Sequence, residues 1–446
     1  MTVVQTKLGK IRGIRYPNYD VFKGIPFAQP PIDTQRFCHA QPITSCWTGE
    51  LDATCFGSVP LQPMNTLESF FSVRDILPVQ DEDCLTLNIW RPSNHKTNTQ
   101  LPVIFYIYGG SFVNGHSAQD LYQPDMIVQQ EDVIVVTCNY RIGALGFLDW
   151  SAINPSWDSN NGLSDLICAL QWIHTHIAAF GGDPTHITLM GQSAGAMSIQ
   201  ALLQLPSVQL YVHNAVMLSG ILEPDTAQYA KQKAYEFQAL KQNLAPNTPW
   251  ESLTSETLLL LMSEHQAQYG KSKGLEMLYQ PITTHNMPIK MNAPLPCPIW
   301  IGVTTAEGDI YIKNEQKIIP PKQFQYVLER TGRKIPPIHN ITTAQQQRNF
   351  ITTYYFHEPF HTYVKALSQH TTVYTYTFDW SHPTHPLYHS AYHILDVLFW
   401  FGRLDIIEAQ GAIITEHERC LSQNMIHDLC AFARTSHLPY SHIIYQ

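Results

Sequence analysis

Charge is scarce in this chain: Asp, Glu, Lys and Arg make up only 14% of its 446 residues, against about 25% in an average globular protein. The charges present lean acidic, 27 Lys and Arg against 36 Asp and Glu, for a formal net charge of −9. No cluster of Lys or Arg occurs, so there is no electrostatic footprint for nucleic acid or an anionic membrane. Long apolar runs are missing too. None approaches the roughly 20 residues that a transmembrane helix needs, and the opening MTVVQTKLGKIRG has no charged-then-apolar leader. The nine cysteines are an odd number without metal-type CxxC spacing, so buried or free thiols and a cytoplasmic location are expected. Disorder is excluded as well. Apolar residues reach 44%, enough at this length to bury a large core.

What is present is an alternation of strands and helices. Residues 103–108 (VIFYIY), 133–136 (VIVV), 186–190 (HITLM) and 216–218 have the β-branched and aromatic bias of fully buried strands. Residues 163–179 carry apolar side chains at Leu163, Leu166, Leu170, Ile173 and Ile177, a helical spacing, and 193–203 read as a second helix. This pattern predicts an α/β protein with a mostly parallel sheet flanked by helices. Gly9, Gly13 and Gly24, amid short strands, point to an antiparallel edge. Residues 225–292, rich in Gln, Leu and Ala, are expected to form a helical cap or insertion within one catalytic domain spanning 1–446. The Thr/His-rich stretch 338–370 specifies no function.

The strongest local signal is Gly191-Gln192-Ser193-Ala194-Gly195, between a predicted strand and a predicted helix. A G-x-S-x-G in that context is a nucleophile elbow: the serine is forced into a strained turn, with small neighbours that avoid clashes. Its oxygen then stands at a helix N-terminus, where backbone N–H groups favour a developing oxyanion. A serine also needs a base and a group to orient that base. The turn Tyr108-Gly109-Gly110-Ser111-Phe112, directly after VIFYIY, supplies the glycines expected in the upstream half of an oxyanion hole.

With these motifs in place the chain resembles the type-B carboxylesterases, the family of the cholinesterases and the bacterial p-nitrobenzyl esterases. The resemblance runs from residue 9 to about residue 402. It is carried by FKGIPFAQPP at 22–31, Arg36-Phe37, EDCLTLNIW at 82–90, the turn at 108–112, NYRIGALGFL at 139–148, residues 161–172, FGGDP at 180–184 and the elbow. It implies an α/β-hydrolase fold and ester hydrolysis by a Ser-Glu-His triad without a cofactor. In GVTTAEGDIY the family's acid falls on Glu307, with Ala306 replacing the usual Asp; Asp309 is the rival carboxylate. In AYHILDVLFWFG the base falls on His393, with Asp396 standing for the usual Glu. The expected triad is therefore Ser193, Glu307 and His393, with an oxyanion hole of Gly110, Ser111 and Ala194. His389 and His393, four apart, would suit a metal pair on a helix face, but no carboxylate or cysteine spacing accompanies them. His382 and His385 read as a solvated loop. Arg36 and Glu82 are expected to form a structural ion pair.

The chain also departs from the family. Gln192 stands where a Glu is common, and residues 62–84 contain Phe70 and Phe71 but no Trp, so the cation–π site for a quaternary ammonium is not expected. Cys84 matches a family disulfide cysteine, while Pro60 occupies its partner's place. After His393 the tail is short, 53 residues. The expected function is hydrolysis of uncharged, small to medium carboxylic esters through an acyl-enzyme. A non-catalytic adhesion-type relative, or an amide or carbamate hydrolase with the same triad, are the competing readings.

Overall fold

The computed structural model describes residues 1–63, 71–73, 78–93, 100–290, 293–334 and 336–446. Phe70 lies outside them. Among the described residues one sheet of twelve strands runs through the molecule. In chain order these are β1 (Thr2–Thr6), β2 (Gly9–Arg15), β3 (Tyr19–Pro26), β4 (Glu50–Asp52), β5 (Thr86–Pro92), β6 (Leu101–Ile107), β7 (Ile134–Cys138), β8 (Gly182–Gln192), β9 (Asn214–Leu218), β10 (Ile299–Thr304), β11 (Val373–Phe378) and β12 (His442–Tyr445). Their spatial order is β1-β2-β3-β5-β7-β6-β8-β9-β10-β11-β12, with β4 beside β2. The early strands β1, β2, β3 and β5 pair antiparallel, and β5 joins β7 antiparallel. From β7 across to β12 every pairing is parallel. That is the α/β-hydrolase arrangement, antiparallel edge included.

The parallel half is apolar because helices cover both of its faces. Every residue of β7, β9 and β10 is buried. The helices include α1 (Asn161–His176), α2 (Ala194–Leu202), α3 (Ala227–Leu244), α4 (Ser255–Lys273), α5 (Leu395–Trp400) and α6 (Glu416–Thr435); α1, α2, α5 and α6 pack on the parallel strands, while α3 and α4 pack on each other. The two helices α3 and α4 occupy the 225–292 region, each opened by a threonine whose side chain accepts a backbone N–H, Thr226 and Thr254. No helix among the described residues is long and apolar enough to cross a membrane.

Two buried ion pairs tie the connections to this frame. Arg141 clasps Asp165 of α1 through Nε and Nη2. Arg36 meets Glu82 in a two-point contact, Nε to Oε2 at 2.6 Å and Nη2 to Oε1 at 2.9 Å.

Register then fixes where chemistry can occur. Ile107 pairs with Gly191, Gln192 with Leu218, and Leu218 with Gly302, so β6, β8, β9 and β10 bring their carboxyl ends together. The crevice beyond those ends is where open α/β sheets bind ligands. The residues that follow each strand, Gly109, Ser193, Ser219 and Glu307, therefore meet there.

Candidate active site

Ser193 alone makes the turn between β8 and α2, with φ 53° and ψ −120°. A non-glycine residue held there costs of order 1–3 kcal/mol. The turn is pinned from both sides. The Ser193 N–H donates to the Leu218 carbonyl at 2.8 Å, and its carbonyl accepts from Met197 N–H at 2.9 Å. A Cβ on Gly195 would lie 2.0 Å from the Ile107 carbonyl oxygen, and one on Gly191 2.7 Å from the Gly195 carbonyl carbon. The glycines of the motif are there because backbone crosses backbone.

Glu307 opens a short turn three residues beyond β10 and is fully buried. Its Oε1 accepts from Ser219 Oγ at 2.6 Å and Thr304 N–H at 2.8 Å, while Oε2 lies 2.6 Å from His393 Nδ1. A carboxylate with both oxygens engaged is rigid, and so is the ring it holds. The imidazole also packs against Phe356 and Tyr311, with ring centroids 4.8 and 5.8 Å away. Its Nε2 faces the Gln192 carboxamide at 3.0 Å. Among the described residues no hydrogen bond joins it to Ser193. Ser193, Gln192 and His393 border one cavity of about 130 Å³ with Tyr122 and Tyr311.

The glycine turn after β6 carries three successive positive φ angles, Gly110 at 121°, Ser111 at 54° and Phe112 at 60°. Tyr140 steadies it: its ring stacks on Tyr108 at 4.5 Å and its hydroxyl donates to the Tyr108 carbonyl at 2.8 Å. Gly110 and Ser111 line the same cavity as Ser193. Their N–H groups, and that of Ala194 at the start of α2, make no hydrogen bond among the described residues. Three unspent donors thus flank the serine.

The rival residues sit elsewhere. Asp309 accepts from Ser390 Oγ at 2.6 Å and lies 3.8 Å from His389, away from His393. His389 is exposed and bonds the Pro386 carbonyl; with Ile394 at φ 79° and α5 beginning at Leu395, His389 and His393 share no helix face. Among the described residues no group of three or more His, Cys, Asp or Glu could hold a metal ion. The loop carrying His382 and His385 is not the solvated loop expected from the sequence. His385 stacks on Tyr388 at 4.9 Å and contacts the Gln410 carbonyl at 3.1 Å, so the loop is tied down rather than freely solvated. Asp396 is buried, accepts from Tyr376 O–H at 2.7 Å, and burial pushes its carboxyl up to about 6.

Comparison with known proteins gives the family. The carboxylesterase family model matches residues 1–331 and 312–440. The chain belongs to the carboxylesterase family. The para-nitrobenzyl esterase of Bacillus subtilis (strain 168) is 33% identical over 448 residues, covering 97% of this chain and 90% of that protein. Among solved structures, a PNB esterase superimposes with a TM-score of 0.88 at 30% identity, covering 100% of this chain and 96% of that one. A thermophilic PNB esterase gives 0.88 at 32% identity, covering 97% and 91%. The carboxylesterase is a carboxylic ester hydrolase.

Several residues of the carboxylesterase site had no signal in the sequence. Ser219 was invisible because only the β9–β10 register brings it to Glu307. Phe356 comes from a π-helical turn, Thr352–His357, in the stretch that looked functionless; such turns often mark functional sites.

Proposed function

We propose that this carboxylesterase hydrolyses uncharged carboxylic esters of small to medium size through an acyl-enzyme on Ser193. His393 Nε2 takes the Ser193 proton as Oγ attacks the ester carbonyl. Glu307 holds the ring proton on Nδ1 and stabilises the imidazolium that forms. The oxyanion rests on the N–H groups of Gly110, Ser111 and Ala194. His393 then protonates the leaving alcohol and deprotonates the water that frees the acid. The observation that carries this reading is the 2.6 Å Glu307–His393 contact behind a ring that lines the same cavity as the strained Ser193.

Cavity size supports the substrate class. The space at Ser193 is about 130 Å³, and a neighbouring hollow of about 210 Å³ shares its walls at Phe71 and Ile310. A short acyl or alcohol group fits the first, and a longer arm extends into the second. Nine free thiols suit a cytoplasmic setting, with a small-molecule ester, not nucleic acid or membrane, as the partner.

The test is a p-nitrophenyl ester series of increasing acyl length, run beside matched amides and carbamates. Short and medium esters should turn over fastest, and Ser193→Ala should abolish the reaction to within the residual catalysis of roughly 10³–10⁴ over water that binding and an oxyanion hole provide. A Ser193→Ala enzyme near the wild-type rate would overturn the assignment, and faster amide than ester turnover would overturn the substrate class.

A further inference from the structure

Gln192 ends β8 beside the serine, is 1% exposed, and places its carboxamide Nε2 3.0 Å from Nε2 of His393. The other ring nitrogen lies 2.6 Å from Glu307, an acceptor-only carboxylate. The neutral ring therefore carries its proton on Nδ1 and presents a lone pair at Nε2. Only the N–H end of a carboxamide complements a lone pair, which settles the end of Gln192 that faces the ring. The Oε1 end lies where a Cβ on Gly109 would come within 2.6 Å, so the bare glycine of the oxyanion turn makes room for this side chain. A carboxylate at position 192 would set acceptor against acceptor.

We propose that Gln192 is a positioning residue that reserves the base. In the resting enzyme its N–H occupies the Nε2 lone pair, and Ser193 gives up its proton only once the carboxamide withdraws. This inference rests on the reading of Ser193 as nucleophile and His393 as base. Glu307 already fixes the tautomer, so Gln192 is not needed for that task. In the step itself the proton passes from Ser193 Oγ to His393 Nε2 as the Oγ–carbonyl bond forms; none passes through Gln192. Once Nε2 carries that proton, donor meets donor, and the carboxamide turns its Oε1 to the ring or stays away.

The experiment is stopped-flow acylation of the full-length enzyme by p-nitrophenyl acetate. Gln192→Met keeps the shape and removes the N–H. It should acylate about two- to tenfold faster than wild type, the worth of one net hydrogen bond, with substrate affinity changed by less than about twofold. Gln192→Glu keeps the size, offers no N–H and draws a proton onto the ring, so it should acylate more slowly than Gln192→Met. A folded Gln192→Met enzyme acylating at the wild-type rate or slower overturns the proposal. Should that variant not fold, the wild-type enzyme labelled with ¹⁵N-histidine gives the answer: a hydrogen-bonded, unprotonated Nε2 on His393 is expected, and an Nε2–H tautomer refutes it. Ser193→Ala in the same assay separates the two levels, since acylation surviving there removes the underlying reading instead.

Discussion

Removing Glu82 should unseat the helical insertion from the main frame. Arg36 and Glu82 are 8% and 6% exposed, and their two-point contact is only part of the junction. The third guanidinium nitrogen, Nη1, donates to the carbonyls of Trp250, Glu251 and Leu253, in the link between α3 and α4. Ser255 Oγ at the start of α4 donates to Glu82 Oε1 at 3.2 Å. Glu82→Ala leaves a buried guanidinium with neutral carbonyls alone, a loss of about 3–5 kcal/mol. Unfolding entropy of about 2.1 cal/mol/K per residue, over 446 residues, comes to about 0.94 kcal/mol/K, so Tm should fall by about 3–5 °C. The assay is calorimetry at one fixed scan rate, because a chain of this size can unfold irreversibly. Replacing both partners, Arg36→Met with Glu82→Met, should recover most of the loss, since no charge is then stranded. An unchanged Tm in Glu82→Ala, or a double variant no better than the single, would show that the pair does not hold this junction.

Two further outcomes follow from the site. Glu307→Gln keeps the shape but removes the carboxylate that holds Nδ1–H of His393, so kcat for p-nitrophenyl acetate should fall by roughly 10⁴-fold, with KM little changed; a drop below tenfold would show that another group orients the ring. Burial raises the Asp396 carboxyl to about 6, so the native state holds a proton that the unfolded chain, with an ordinary Asp, has released. Stability at this position therefore falls as pH rises from about 4 to about 6, by about 3 kcal/mol in total. Asp396→Asn should lose less stability than wild type between pH 4 and pH 7 in denaturant titrations, and parallel pH slopes in the two proteins would count against it.

The parts of this fold that show in the sequence are those governed by neighbours along the chain. VIFYIY and VIVV announce strands because a strand covered on both faces is apolar throughout. The elbow shows because a strained turn needs glycine on either side. The apolar run 186–190 marks only part of β8, which starts at Gly182: Gly182-Asp183-Pro184 looks like a turn, yet Gly182 pairs with Leu101 before a bulge resets the register at Val103 and Ile187. Residues 163–179 read as one helix, whereas α1 stops at His176 and a tighter turn, Ile177–Phe180, runs into Gly181 at φ 89°. Apolar spacing continues through both, so periodicity cannot place that boundary. In the sequence Gln192 marks only a lost negative charge. Its contact with His393 spans 201 residues of sequence and leaves no local trace. Glu307 and His393 were found through family resemblance, because a carboxylate after one strand and a histidine before a distant helix share no spacing.

The whole mechanism turns on Ser193 being the nucleophile that carries the acyl group. Quenching the enzyme during turnover of a slowly deacylating ester, then digesting it and mapping the acyl mass by tandem mass spectrometry, tests this directly. One acyl group per chain on the peptide containing Gly191-Gln192-Ser193-Ala194-Gly195, fragmenting to Ser193 and absent in Ser193→Ala, is the result predicted. An acyl group on any other residue, or ester turnover with no trappable adduct and undiminished in Ser193→Ala, would contradict it.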